Sequence, residues 1–229
     1  MRQPRQILPY GPTALLLQWE QRIDQAINTS VHAYARASEQ IPSVLETVPA
    51  YCSLLVTFDP GQVDAYQLRE ILFALRPAMR ETAGKLHRLP VAYGGDYGPD
   101  LEEVGESLGL GREQLIQLHC QEEYWVYQVG YQPGFAFLGE TLPQLEIARK
   151  AIPRRRLAAG SVGLAGRQTG IYPQEAPGGW QIIGRCPWPM LRAEPAPYVR
   201  LQAGDRVQFF PITAEDWTTF QQNPDLWTS

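Results

Sequence analysis

Between Gly130 and Arg185 the chain reads GYQPGFAFLGETLPQLEIARKAIPRRRLAAGSVGLAGRQTGIYPQEAPGGWQIIGR. Glycine and proline recur throughout and alternate with aromatic and β-branched residues. A long helix is excluded, because interior proline removes a backbone donor and interior glycine costs about 1 kcal/mol relative to alanine. A flexible linker is excluded too, because linkers do not carry so many aromatic residues. The pattern predicts many short strands joined by glycine turns, and so a closed or strongly curved β structure from about Glu123 to Phe210. Glycine also lets a ligand or a second chain come close to the backbone.

The rest of the composition narrows the class. Over 229 residues, 44% are apolar and 19% charged, enough for a packed core and unlike a disordered chain. The net charge of -4 and a pI near 5.5 argue against nucleic acid or an anionic membrane surface as the main partner. Arg154–Arg156 form the one basic run, read as a solvated loop. Cys52, Cys120 and Cys186 are odd in number and widely spaced, which suits a reducing cytoplasm and gives neither a disulfide framework nor a metal motif. The apolar run Ala14–Leu17 is too short for a signal peptide, and nothing approaches a membrane span.

Read in order, Ile7–Tyr10 and Ala14–Trp19 are short strands about Gly11-Pro12. Ile23, Ile27, Val31, Tyr34 and Ala35 recur at helical spacing, so 22–38 is an amphipathic helix. Val44–Val48 and Ser53–Phe58 are strands, and Leu68, Ile71, Leu72, Leu75 and Met79 mark a second helix, with Asp64 and Gln67 set to form a capping box. Arg88–Tyr93 is a further strand. This order predicts an α+β chain: a ferredoxin-like α/β sandwich over residues 1–86, then a β-rich domain over 87–229. In the second domain, Asp100 with Glu103 reads as a helix cap, Gly109 as a helix end, and 112–119 as a short helix. A final strand covers Arg206–Phe210, and the tail from Thr213, with its two tryptophans, forms a short helix.

Few residues point to chemistry. Gly160, Gly163 and Gly166 are spaced by three, without the lysine of a phosphate loop or the spacing of a dinucleotide fingerprint. They are either glycines of a packed β corner or amides exposed to an anion or to another chain. Arg167 follows them with Gln168 and Thr169, and its guanidinium, if free, is suited to a carboxylate or phosphate. Tyr172, Pro173, Pro177, Gly178, Gly179 and Trp180 form a rigid aromatic segment, either core or a wall for a partner. His119, at a helix end, is a capping histidine or a general acid/base. Asp96, in the turn YGGDYGPD, is the best single carboxylate.

Several segments in register resemble one known family: LPVAYGGDYGPDLEEV, LHCQEEYWVY, PGFAFLG, AAGSVGLAGRQTGIYP, PGGWQIIGR and LQAGDRVQFFPI, covering about residues 89–212. They are similar to bacterial 5-oxoprolinase B subunits, whose family is also named allophanate hydrolase subunit 1 and includes the sporulation kinase inhibitor KipI. The chain departs from the family pattern at Gln132 and in IARKAIPRRRLAAG. The resemblance implies a cyclophilin-like β-barrel as the second domain. It implies a complex, with a C-subunit homologue and an A-subunit homologue, that uses ATP to open 5-oxoproline to L-glutamate. Alternative roles in the family are inhibition of a sensor histidine kinase and membership of an allophanate- or urea-processing complex. The matched segments nominate Asp96, His119 and Arg167 for catalysis. They nominate Tyr93, Gly94, Gly95, Pro133, Gly134, Phe135, Gln168, Thr169 and Tyr172 for substrate, and Pro173, Pro177, Gly178, Gly179 and Trp180 for a partner.

Overall fold

A computed structural model describes residues 1–78, 84–192 and 198–223. Met79 and Trp227, which the sequence pattern places in a helix and in the tail, lie outside the described residues. The chain forms two compact units, Met1–Thr82 and Ala83–Ser229. Among the described residues no helix is long and apolar enough to cross a membrane.

Among its described residues the first unit is one antiparallel sheet with two helices. Strands β1 (Gln6–Pro9), β2 (Ala14–Gln18), β3 (Val44–Pro49) and β4 (Ser53–Phe58) are ordered β1-β2-β4-β3. Strict alternation along β4 buries Leu54, Val56 and Phe58 on one face. Helix α1 (Gln25–Ser38) covers that face beside β3 and β4, burying Ile27, Val31, Tyr34 and Ala35 as their spacing predicts. Helix α2 (Ala65–Ala74) packs beside β1 and β2 through Leu68 and Leu72. Its expected capping box is present: the Gln67 amide donates to Asp64 at 2.8 Å, and the Asp64 amide to the Gln67 side chain at 3.4 Å.

The ferredoxin-like order counts the strand after α2 as its last element, but that strand, β5 (Leu86–Tyr93), lies in the second unit, and β1 forms the edge of the first sheet beside β2. The reason lies in its burial. Leu89 to Tyr93 are buried at five successive positions, so both faces of the strand are covered, unlike the half-exposed strands of the first unit.

The second unit is a closed seven-stranded barrel. With β6 (Tyr124–Val129), β7 (Ala136–Gly139), β9 (Ser161–Ala165), β10 (Gln168–Ile171), β12 (Gln181–Arg185) and β13 (Arg206–Ile212), the order is β10-β7-β6-β13-β5-β12-β9. All neighbours are antiparallel except β5 and β13, which run parallel from Leu86↔Arg206 to Ala92↔Ile212. Inward-pointing Leu89, Val91, Val126, Leu138, Val162, Leu164, Ile171, Val207 and Phe209 fill the interior, so the barrel is a packed core. Helix α3 (Leu101–Leu108) packs beside β12 and ends at Gly109, whose φ of 67° is the left-handed conformation that glycine adopts freely. Helix α4 (Arg112–Cys120) packs beside β13. A two-stranded ribbon, β8 (Arg154–Leu157) with β11 (Ala176–Gly178), and a short helix α5 (Trp217–Gln222) complete the unit. The arginine run read as a loop is therefore strand β8.

Candidate functional site

The outer face of the barrel carries a second apolar cluster: Phe135, Leu157, Ala165, Tyr172, Ala176, Trp180 and Ile182. Alternation explains it. Where Val162, Leu164 and Ile171 point inward, their neighbours Gly163 and Gly170 face out, directly paired across β9 and β10. A methyl group at Gly163 would sit 3.0 Å from Trp180 Cβ, and one at Gly170 would sit 3.1 Å from Trp180 Cζ3 and 3.2 Å from Phe135 Cζ. The paired glycines form a floor on which Trp180 lies against the sheet. This is the packed β corner, and its amides are in use: the Gly160 amide donates to Tyr172 O and the Gly166 amide to Ile147 O, both at 2.7 Å.

The expected partner wall is thus corrected. Trp180 is 4% exposed, and Tyr172 and Pro173 are also buried, so these rings cannot anchor another chain; Pro177, Gly178 and Gly179 reach the surface. Tyr172 and Trp180 instead help to line a cavity of about 140 Å3, with Tyr131, Phe135, Phe137, Gly178, Gly179 and Arg149. The rings meet edge to face: Phe135 lies 4.7 Å from Phe137, 5.1 Å from Tyr172 and 5.5 Å from Trp180. Gly178 is required there, since a methyl group would stand 2.3 Å from the Tyr172 hydroxyl. Burial pushes that hydroxyl up to about 12, so it is protonated at neutral pH. Tyr131 adopts φ 70° without being glycine, and its hydroxyl donates to Pro177 O at 3.0 Å, tying the end of β6 to β11. The Arg149 guanidinium stands 5.9 Å from the Trp180 ring. Sequence reasoning does not single out Arg149; a basic residue a few positions before Pro153 and β8 is the available signal.

Three other expected residues meet inside the barrel. The His119 Nδ1 lies 2.7 Å from the Tyr93 hydroxyl and its Nε2 2.9 Å from Thr169 Oγ1. The ring stacks on Phe209 at 4.6 Å and is wholly buried. Burial lowers its pKa to about 3, so it stays neutral. Its role as a helix-end cation or an accessible acid/base is corrected: it joins α4 to strands β5 and β10. The Tyr93 hydroxyl also lies 3.3 Å from Cys120 Sγ.

Arg167 is not free. Its Nη2 pairs with Glu140 at 3.0 Å, and Nε and Nη2 donate to Thr141 O at 3.3 and 3.2 Å. Gln168 beside it is half-buried. Asp96 is exposed on its turn, beside exposed Gly95. Gly94 is covered: the Arg112 guanidinium lies where its side chain would be, donating to Tyr93 O at 2.9 Å and to Glu102 at 2.7 Å. Pro133 is exposed, whereas Gly134, with φ 81°, is buried against Leu191.

The strongest electrostatic feature is Asp100, which makes no cap hydrogen bond with its side chain. It accepts Arg154 Nη2 at 2.6 Å and Nη1 at 2.8 Å, Lys150 Nζ at 2.9 Å, and the Ile182 amide at 2.6 Å. Burial alone would raise its pKa; the bonds from Arg154, Lys150 and Ile182 outweigh it and hold the carboxyl below its usual range. The cluster clamps α3, β8 and β12 together, and sequence reasoning misses it because a cap and a clamp both use aspartate before a helix. Among the described residues no group of three His, Cys, Asp or Glu side chains is placed to hold a metal ion.

Comparison with known proteins agrees with this architecture. The family described as Carboxyltransferase domain, subdomain C and D matches residues 5–201. The chain is 36% identical to the 5-oxoprolinase B subunit of Bacillus subtilis, over 95% of this chain and 97% of that one. A longer protein solved in several crystal forms is 34% identical, with TM-score 0.78 over 88% of this chain but only 40% of its own. The urea amidolyase of Kluyveromyces lactis is 18% identical, with TM-score 0.78 over 96% of this chain and 15% of its own, and so shares the fold. On the match across nearly its whole length, the chain belongs to the 5-oxoprolinase B-subunit family.

Proposed function

We propose that this chain is the B subunit of a cytoplasmic, ATP-dependent complex that opens the lactam of 5-oxoproline to L-glutamate, and that it is inactive alone. The observation that carries this is the aromatic cavity on the barrel. Its walls are rings, glycine backbone and one guanidinium, which suit a small flat ring bearing a negative charge. At about 140 Å3 it is well below the 300–1,000 Å3 typical of pockets for larger ligands, so ATP needs a different site. An A-subunit homologue supplies that site in this reading, and a C-subunit homologue completes the assembly.

The chemistry explains the need for several chains. A lactam carbonyl is a weak electrophile. Transfer of the ATP γ-phosphoryl group to its oxygen activates the carbon; water then adds, the ring C–N bond breaks as the nitrogen gains a proton, and a second water displaces phosphate from the acyl phosphate so formed to leave the carboxylate. The charge that develops must be met by donors already in place. Among the described residues lining the cavity none is a base strong enough to activate water at neutral pH, since their ionisable groups are two phenols and a guanidinium. Asp96, exposed on its turn, is in this reading a carboxylate that a partner chain can meet.

The test is ATP turnover with 5-oxoproline, for the chain alone and for its mixture with the C-subunit and A-subunit homologues. The mixture is expected to hydrolyse 5-oxoproline and the chain alone is not. Robust hydrolysis by the lone chain, or none by the mixture, would overturn the proposal. Tight binding to a sensor histidine kinase, without binding to the C-subunit homologue, would favour the inhibitor role.

A further inference from the structure

We propose that Arg149 is the carboxylate-binding residue of the aromatic cavity, so that the site selects a five-membered lactam acid over the uncharged lactam. The inference rests on the 5-oxoprolinase reading of the chain and names the residue that gives that site its specificity.

Three observations lead to it. First, Arg149 is the one cation among the described residues lining the cavity, and its guanidinium lies beside the Trp180 ring at 5.9 Å. It also acts on Tyr172, lowering the pKa of the hydroxyl against the larger effect of burial. Most basic side chains around it are committed: Lys150 and Arg154 to Asp100, Arg156 to Glu175, and Arg167 to Glu140. Among the described residues no carboxylate is within ion-pair reach of Arg149. Its fork of donors remains available for a planar carboxylate.

Second, the backbone at this position is fixed. The Lys150 amide donates to Gly179 O at 2.7 Å, while Lys150 Nζ is held by Asp100 at 2.9 Å and Glu103 at 3.0 Å. The segment carrying Arg149 is thereby strapped across the edge of the cavity at Gly179. Third, the cavity keeps its shape through a strained element. Tyr131 holds φ 70°, a conformation costly for a tyrosine, with its hydroxyl on Pro177 O. Strain of this kind persists where the surroundings fix it, and here it holds one wall of the cavity.

Phe135, Phe137 and Trp180 give the cavity an apolar lining for the methylene groups of a small ring. The Tyr172 hydroxyl, protonated at neutral pH, offers a donor to a carbonyl oxygen. A carboxylate on that ring then falls to the guanidinium. At about 140 Å3 the hollow has room for about four or five waters at about 30 Å3 each, comparable to one such ring acid.

The experiment uses Arg149→Gln and Arg149→Lys, with 5-oxoproline and 2-pyrrolidinone, the same ring without its carboxylate. Arg149 is exposed, so both variants should fold. In the full chain, the Arg149 Nε–Hε resonance should shift on titration with 5-oxoproline and not with 2-pyrrolidinone. Pocket resonances of the Gln variant should no longer respond. In the assembled complex, Arg149→Gln should raise KM for 5-oxoproline about tenfold or more with kcat changed less than about threefold, as for loss of an interaction present throughout the reaction. Arg149→Lys should recover part of the loss, as a point charge without the fork. If the wild-type chain binds 5-oxoproline but the complex does not hydrolyse it, the function fails and the site stands. If the complex is active and Arg149→Gln keeps a wild-type KM, the site fails and the function stands. A wild-type chain whose Arg149 resonance ignores 5-oxoproline overturns the site directly.

Discussion

Replacing Asp100 with asparagine tests whether the second unit depends on one buried carboxylate. The side chain is 1% exposed and receives four donors, two from Arg154, one from Lys150 and one from the Ile182 amide. Asparagine keeps the shape but turns an NH2 group toward those donors and removes the charge. Breaking a buried pair by removing one partner costs about 3–5 kcal/mol. Arg154 and Lys150 retain side-chain exposures of 32% and 18%, so water compensates part of the loss and the low end, about 3 kcal/mol, applies. For a unit of this size, about 2–4 °C per kcal/mol gives a fall in Tm of about 6–12 °C. Tryptophan fluorescence follows mainly this unit, since Trp19 is the only tryptophan in the first. The pH dependence has a definite sign. The folded carboxyl sits below its usual range, so its stabilisation is present above the unfolded pKa of about 3.9 and is lost as pH falls through the lower folded value. The gap between wild type and Asp100→Asn should therefore be constant near neutrality and close in acid. A fall of less than about 2 °C at neutral pH, or a gap that does not narrow below about pH 4, would refute the clamp.

Trp180→Ala should lower the stability of the second unit by about 3–5 kcal/mol in chemical denaturation, because the ring is core and not an interface anchor. His119→Gln should flatten the dependence of stability on pH between about 6.5 and about 3. The wild-type ring takes up its proton more readily when unfolded across that window, so wild-type stability falls as pH falls; urea midpoints in a pH series read this out. Asp64→Ala should cost the first unit about 1 kcal/mol by removing the capping box of α2, measured by the same denaturation.

Local rules suffice where one residue and its near neighbours decide the outcome. Asp64 and Gln67 cap α2, Gly109 ends α3, and β4 alternates, each through contacts within a few positions. Sequence reasoning fails where a residue's partner lies far along the chain. Asp100 looks like a helix cap until Arg154 and Ile182 are brought beside it. Arg167 looks free until Glu140 and Thr141 fold back onto it. His119 looks like an exposed helix end until Thr169, fifty positions away, closes over its far nitrogen. Trp180 is ambiguous for a related reason. An aromatic residue after two glycines is equally a docking surface or a core ring, and only the pairing of Gly163 with Gly170 supplies the floor that makes it core. Tyr172 lines the aromatic cavity, and Arg149 beside it carries no distinguishing pattern in the sequence.

The parallel pairing of β5 with β13 has a consequence for synthesis. The first unit has every strand partner within residues 6–58, so it can fold as soon as it and its helices leave the ribosome. The barrel cannot follow in the same way. Its opening strand pairs residue 86 with residue 206, and β13 also supplies one neighbour of β6. Until residues 206–212 emerge, β5 and β6 each present an unpaired row of amides and carbonyls, a template for pairing with other chains. Closing so long a loop is slow. The growing chain therefore passes through a period with one finished unit and one open sheet. A truncation just before Arg206 would make that period permanent, leaving a folded sandwich tethered to an aggregating remnant.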